Sequence, residues 1–184
     1  PSVLAPGTDF QAVFVPDSYR RVTMLAPGFV FEEINVGGHL RSTRDNEYPP
    51  VTLLGGSAFN HPDLVARGAG YTEGTVFVDG FFPGSSDESV TRFIKQYRDA
   101  YGGDPTILEA TAYDTALFVC QLLADGVKTR RELLRRLSLA TPVESLTGAR
   151  GFGNEGTMAH QLKTLQVVKD RIVQVWPEPP VTIP

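Results

Sequence analysis

Cysteine is almost missing from this sequence: Cys120 is the single one in 184 residues. An internal disulfide is therefore excluded, and so is any zinc site built on several thiolates. The count says nothing for or against an oxidising compartment. Positive charge is also scarce. The formal net charge is -4, and the lysines and arginines are scattered, so no basic stripe is there to displace counterions from a phosphate backbone. A nucleic-acid partner is not expected. No apolar run approaches the roughly 20 residues of a membrane-spanning helix, and no membrane span is expected in the chain. It starts at Pro1 with neither initiator methionine nor signal peptide, which predicts a missing front portion.

Catalytic and metal motifs are wanting too. There is no nucleophile elbow of the G-x-S-x-G kind and no Walker-type loop. His39, His61 and His160 fall in three separate loop-like stretches without the paired spacing a metal needs, and read as solvated or structural. Cys120 shares a helical face with Ala112, Ala116 and Leu123, which predicts a small buried core group rather than a nucleophile. Residues 151–156 spell a literal G-x-G-x-x-G, yet a β run follows it instead of the helix whose amides would hold a pyrophosphate. It reads as turn chemistry. No cofactor, metal or catalytic residue is expected.

What the chain has is 41% hydrophobic residues, enough for one full core. Residues 10–15 form a short apolar run between turn signals and predict a buried strand. Val22, Leu25, Ala26, Phe29 and Val30 recur at helical spacing, with Pro27-Gly28 expected to kink the helix. Residues 37–50 turn polar and predict an exposed loop. Further strands are predicted over residues 51–54 and 75–79. Ser85 and Glu88 are placed as a capping box before a helix ended by Gly102-Gly103. A second helix is predicted over 108–125 with Ala112, Ala116, Val119 and Leu123 on its packed face. A third opens on Thr129 and Glu132. Runs 162–168 and 172–176, joined by Lys169-Asp170-Arg171, predict a closing hairpin. Strands that alternate with helices and finish in a hairpin predict an α/β class with a doubly wound, mostly parallel sheet and an antiparallel edge.

Open parallel sheets bind ligands beyond the carboxyl ends of their strands. Two such ends are chemically distinctive: Asp17, Ser18 and Tyr19 after the first strand, and Ser57, Phe59 and Asn60 after the second. Both mix hydroxyl or amide groups with an aromatic ring, which suits a small polar ligand. The plain alternative is that Asp17 or Ser18 merely caps the following helix.

The ordered pieces Phe10-Gln-Ala-Val-Phe-Val-Pro-Asp-Ser-Tyr19, Leu53-Leu-Gly55, Glu73-Gly-Thr-Val-Phe-Val-Asp-Gly-Phe-Phe82, Phe93-Ile-Lys-Gln-Tyr97 with Tyr101-Gly102, Ala112-Tyr-Asp114, Gly148 with Phe152, and Gly156 resemble type 1 periplasmic binding proteins of the Leu/Ile/Val-binding class. Within that class the sequence looks most like envelope lipoproteins of the penicillin-binding protein activator type. The resemblance implies the C-terminal half of a two-lobed fold that binds a small ligand in a hinged cleft. It implies a second-lobe segment over 1–85, first-lobe helices over 86–145, and return strands with the hairpin and tail over 146–184. In amino-acid-binding relatives the position of Ser57 is implied to supply a carboxylate for the ligand's ammonium. Ser57 is not acidic, so the ammonium lacks its counter-charge here. The implied function is non-enzymatic recognition of a small polar molecule. The alternative is a scaffold that docks an envelope protein partner such as a cell-wall synthase across a vestigial cleft. The implied location is the periplasm or cell envelope, with a lipid anchor outside this chain as one way of holding it there.

Overall fold

A computed structural model describes residues 9–40, 48–139, 144–153 and 156–176. Residues 41–47, half of the predicted loop 37–50, thus lie outside the described residues. The chain divides into two compact units. The first takes residues 1–79 and 164–177, and the second residues 80–163 and 178–184.

The first unit holds β1 (Ala12–Phe14), α1 (Tyr19–Phe31), β2 (Thr52–Gly55), α2 (Pro62–Gly68), β3 (Val76–Asp79), β6 (Lys163–Val168) and β7 (Arg171–Trp176). They build one sheet in the order β1-β2-β3-β6-β7. β1 with β2 and β2 with β3 run parallel, whereas β6 and β7 are antiparallel. This is the expected mixed α/β class with a parallel-rich sheet and an antiparallel edge. Lys169 and Asp170 alone make the hairpin turn, both at positive φ (50° and 57°), which is the twist a tight two-residue hairpin demands. β1 corrects one expectation. As an edge strand it leaves Phe14 62% exposed instead of buried. Helix α1 runs on through Pro27, and of its apolar stripe only Val22 and Ala26 are buried. Apolar side chains from β2, β3 and β6, among them Leu53, Phe77, Leu165 and Val167, fill the core.

The second unit holds α3 (Glu88–Tyr101), α4 (Ile107–Ala124), α5 (Arg130–Leu137) and the antiparallel pair β4 (Ala149–Phe152) and β5 (Met158–His160). Gly153 and Gly156 therefore belong to the connection between two strands, as the turn reading of residues 151–156 expected. Helix α3 is capped by Asp87, whose carboxylate accepts the Ser89 N–H at 2.9 Å, and not by Ser85. Both are good acceptors, and the nearer one to the first helical turn prevails.

Helix α4 is turned about its axis from the sequence expectation. Ala110, Asp114, Phe118 and Leu122 are its buried residues, and Ala112, Ala116 and Leu123 are exposed. Cys120 goes with the exposed face and is not a core group. The cause is that Asp114 is pulled inward: its carboxylate accepts from the Ser145 hydroxyl (2.8 Å), the Leu146 N–H (2.9 Å) and the N–H and hydroxyl of Thr147 (2.9 and 2.7 Å). Those donors compensate the burial of the charge and clamp α4 to the strand entry at residues 145–147. By length and composition α4 is also long and apolar enough to cross a membrane, which the expectation of no such run overlooked. In the fold Ala110, Asp114, Phe118 and Leu122 of α4 are buried, and the Asp114 carboxylate ties the helix to residues 145–147.

Candidate ligand-binding surface

The carboxyl ends of β1, β2 and β3 lie along one edge of the first unit because the three strands are parallel neighbours. After β1 the chain turns at Pro16. Asp17 Oδ1 accepts the Ser18 N–H at 2.7 Å and lies 3.3 Å from the Ser18 hydroxyl. Ser18 occupies the N-cap position of α1 without making a side-chain cap. The capping alternative for these two residues is therefore not what the structure has; they bond to each other. Tyr19 opens the helix, half-buried.

After β2 comes a single 3-10 turn, Ser57–Phe59. Ser57 is exposed and Asn60 half-buried. Phe59 departs from the expected ligand-facing set: it is fully buried, its ring 6.1 Å from that of Phe77. The ring packs directly over Gly55, where a Cβ would stand only 2.2 Å from it, so the glycine is what lets Phe59 turn inward. Phe59 is a core residue that fixes the turn.

The two strand ends are joined by a contact that the sequence did not announce. The His61 imidazole lies flat on the Tyr19 ring, with centroids 3.9 Å apart and planes 3° from parallel. His61 precedes α2 and caps it, its Nδ1 accepting the Asp63 N–H at 3.1 Å. Arg20 Nε donates to the Tyr19 phenol oxygen at 3.1 Å, with the guanidinium carbon 5.7 Å from the ring centroid. That hydrogen bond, ahead of its charge interactions with Tyr19 and Asp63, raises the Arg20 pKa above its ordinary value. At the end of β3, the Asn60 amide donates to Asp79 Oδ2 at 2.8 Å, and Asp79 is the buried last residue of that strand. Asp79 and His61 were both missed as members of this surface. Asp79 had a sequence signal, a lone acid closing an apolar strand; His61 had none, since its partner is 42 positions away.

Elsewhere, His39 packs against Tyr71 at 4.1 Å, and His160 Nδ1 lies 3.3 Å from the Thr147 carbonyl oxygen. His160 also lines a cavity of about 220 Å³ in the second unit, with Phe118, Leu137, Phe152 and Met158. Among the described residues no group of three or more His, Cys, Asp or Glu side chains is placed to hold a metal ion.

Residues 37–171 match the family model described as periplasmic binding protein. The chain belongs to that family. No curated protein matches it in sequence. Among solved structures, this periplasmic binding protein chain is similar to a Rhodospirillum rubrum protein provisionally designated a branched-chain amino acid ABC transporter, with TM-score 0.75 and 20% identity over 90% of this chain and 44% of that one. It is similar to the branched-chain amino acid transporter substrate binding protein from Streptococcus pneumoniae solved with isoleucine (TM-score 0.60, 21% identity, 91% and 46%). It is also similar to a solute binding protein from R. palustris solved with benzoate (TM-score 0.60, 13% identity, 90% and 42%). The chain thus spans less than half the length of each. At these identities the likeness is one of fold.

Proposed function

We propose that this periplasmic binding protein module recognises a small polar solute without chemistry, and that the tips of β1 and β2 form one wall of its site. The observation that carries the reading is the Tyr19–His61 stack, which merges two adjacent parallel strand ends into one surface bearing Ser18, Ser57 and Asn60. A sheet edge of this kind is where open α/β folds take ligands. Asp17 belongs to the same rim. The proposed location is the periplasm or cell envelope, in keeping with the family.

We also propose a lobe assignment, supported by what each unit leaves bare. In the first unit, β1 is an edge strand with Phe14 exposed. In the second, among the described residues, three helices accompany a two-stranded sheet, and Leu108 and Leu123 of α4 are exposed. Relatives about twice as long have the chain to cover both surfaces. We therefore assign the first unit to one lobe and the helices of the second to another, each completed by sequence beyond this chain.

The test is ligand-induced thermal stabilisation of the full-length protein across amino acids, organic acids, sugars and polyamines. A binding module gains about 2.7 kcal/mol at a hundredfold excess of ligand over Kd. Stabilisation that is lost in Tyr19→Ala supports the reading, and a flat response across all classes defeats it.

A further inference from the structure

The donors and acceptors at these strand ends are unequally distributed, and the imbalance selects a ligand charge. His61 Nδ1 is engaged as an acceptor by the Asp63 N–H, so the neutral ring carries its proton on Nε2, which is left to donate. The Tyr19 oxygen accepts from Arg20 and keeps its own hydrogen for donation. Ser57, exposed on the neighbouring tip, adds another hydroxyl.

Each carboxylate at these ends already has a partner. Asp17 Oδ1 takes both the N–H and the hydroxyl of Ser18. Asp63 is paired with Arg67 at 3.1 Å. Asp79 is buried and receives the Asn60 amide. Arg20, Arg21 and Arg67 are exposed on α1 and α2, the helices these strand ends lead into, and they outnumber Asp17 and Asp63 there. An ammonium group here would meet donors and cations, whereas a carboxylate offers acceptor lone pairs to every one of them.

We infer that the solute is a small organic carboxylate without an ammonium group, and that His61 is the positioning residue that holds Tyr19 against it. This rests on the solute-binding reading above and narrows it. Tyr19 is fixed on its face by His61 and at its oxygen by Arg20, so the phenol is set before any ligand arrives and little rotamer freedom remains to be lost on binding.

The experiment is calorimetric titration of the full-length protein with matched pairs: isocaproate against leucine, which is the same skeleton with an amino group, and benzoate against benzylamine. At least one carboxylate is expected to bind about tenfold or more tighter than its amino partner. Ser57→Glu is expected to reverse that order. His61→Asn keeps a helix-capping acceptor and loses the ring, so it should melt like the parent yet bind the carboxylate about tenfold more weakly, with His61→Phe restoring part of the loss. Binding in which neither carboxylate exceeds its amino partner overturns the ligand class, and a His61→Asn variant with parental affinity overturns the positioning role. If the probes fail while the wider panel stabilises the protein, this inference alone falls. If nothing binds, the solute-binding reading falls with it.

Discussion

Asp114 has no part in the proposed ligand wall, yet it decides how the second unit is put together. Four donors converge on its two oxygens from residues 145–147. Removing the carboxylate orphans several buried donors at once, each worth about 1–3 kcal/mol. Asp114→Ala is expected to lower unfolding free energy by about 3 kcal/mol or more in urea melts, with Asp114→Asn intermediate. A loss under about 1 kcal/mol would show that the clasp is incidental. Single residues were also where the sequence was least readable. Ser18, Tyr19, Ser57 and Asn60 were picked out because polar groups at strand ends are conspicuous. Phe59 was picked out with them, although an aromatic four residues after a strand-ending glycine can as easily fold back over that glycine. His61 and Asp79 join the surface through contacts between distant positions, which no local pattern encodes.

Elements were more legible than faces. Strand and helix positions followed from periodicity and punctuation, and the hairpin at Lys169-Asp170 from its spacing. Helix α4 defeated the same reasoning because it is apolar nearly all round: with Leu117, Phe118, Val119, Leu122 and Leu123 in close succession there is no single stripe to follow. Its true inner face is marked by an acid, the residue type least expected there. The cap in front of α4 was not read from the sequence, and it yields a pH prediction. Thr106 caps the helix by accepting the Leu108 N–H, while Glu109 reaches back to the Thr106 N–H at 2.7 Å and to its hydroxyl. The hydroxyl bond first, then the backbone bonds, hold the Glu109 pKa below its ordinary value. A lowered folded pKa means that the cap's contribution is complete above the unfolded carboxyl pKa of about 4.3 and fades as pH falls through the folded value. Carbon-13 titration of the Glu109 carboxyl should therefore give a midpoint below that of an unstructured peptide, and Thr106→Val should raise it. A midpoint unmoved by that substitution would dissociate the hydroxyl from the shift.

For the whole molecule, the uncovered apolar surface has a measurable cost. Phe14 and Met24 in the first unit and Leu108 and Leu123 in the second are all about half exposed or more. Patches of this kind drive association unless something covers them. In sedimentation velocity the isolated 184-residue chain is expected to self-associate with rising concentration, and Phe14→Lys with Leu123→Lys to suppress it. The full-length protein should stay monomeric if its remaining sequence covers these faces. A monodisperse isolated chain would mean that the exposed side chains find cover within it.

The strand order of the first unit, with β6 between β3 and β7, also governs how the protein is made. Leu165 and Val167, which help to close the core around Phe77, emerge from the ribosome some 85 residues after β3, because residues 80–163 of the second unit are spliced into the chain between them. Until that last stretch arrives, β3 is an open template for any passing strand. A chaperone that shields nascent sheet edges, or export of the chain before it has had time to fold, would protect this protein at its most vulnerable stage.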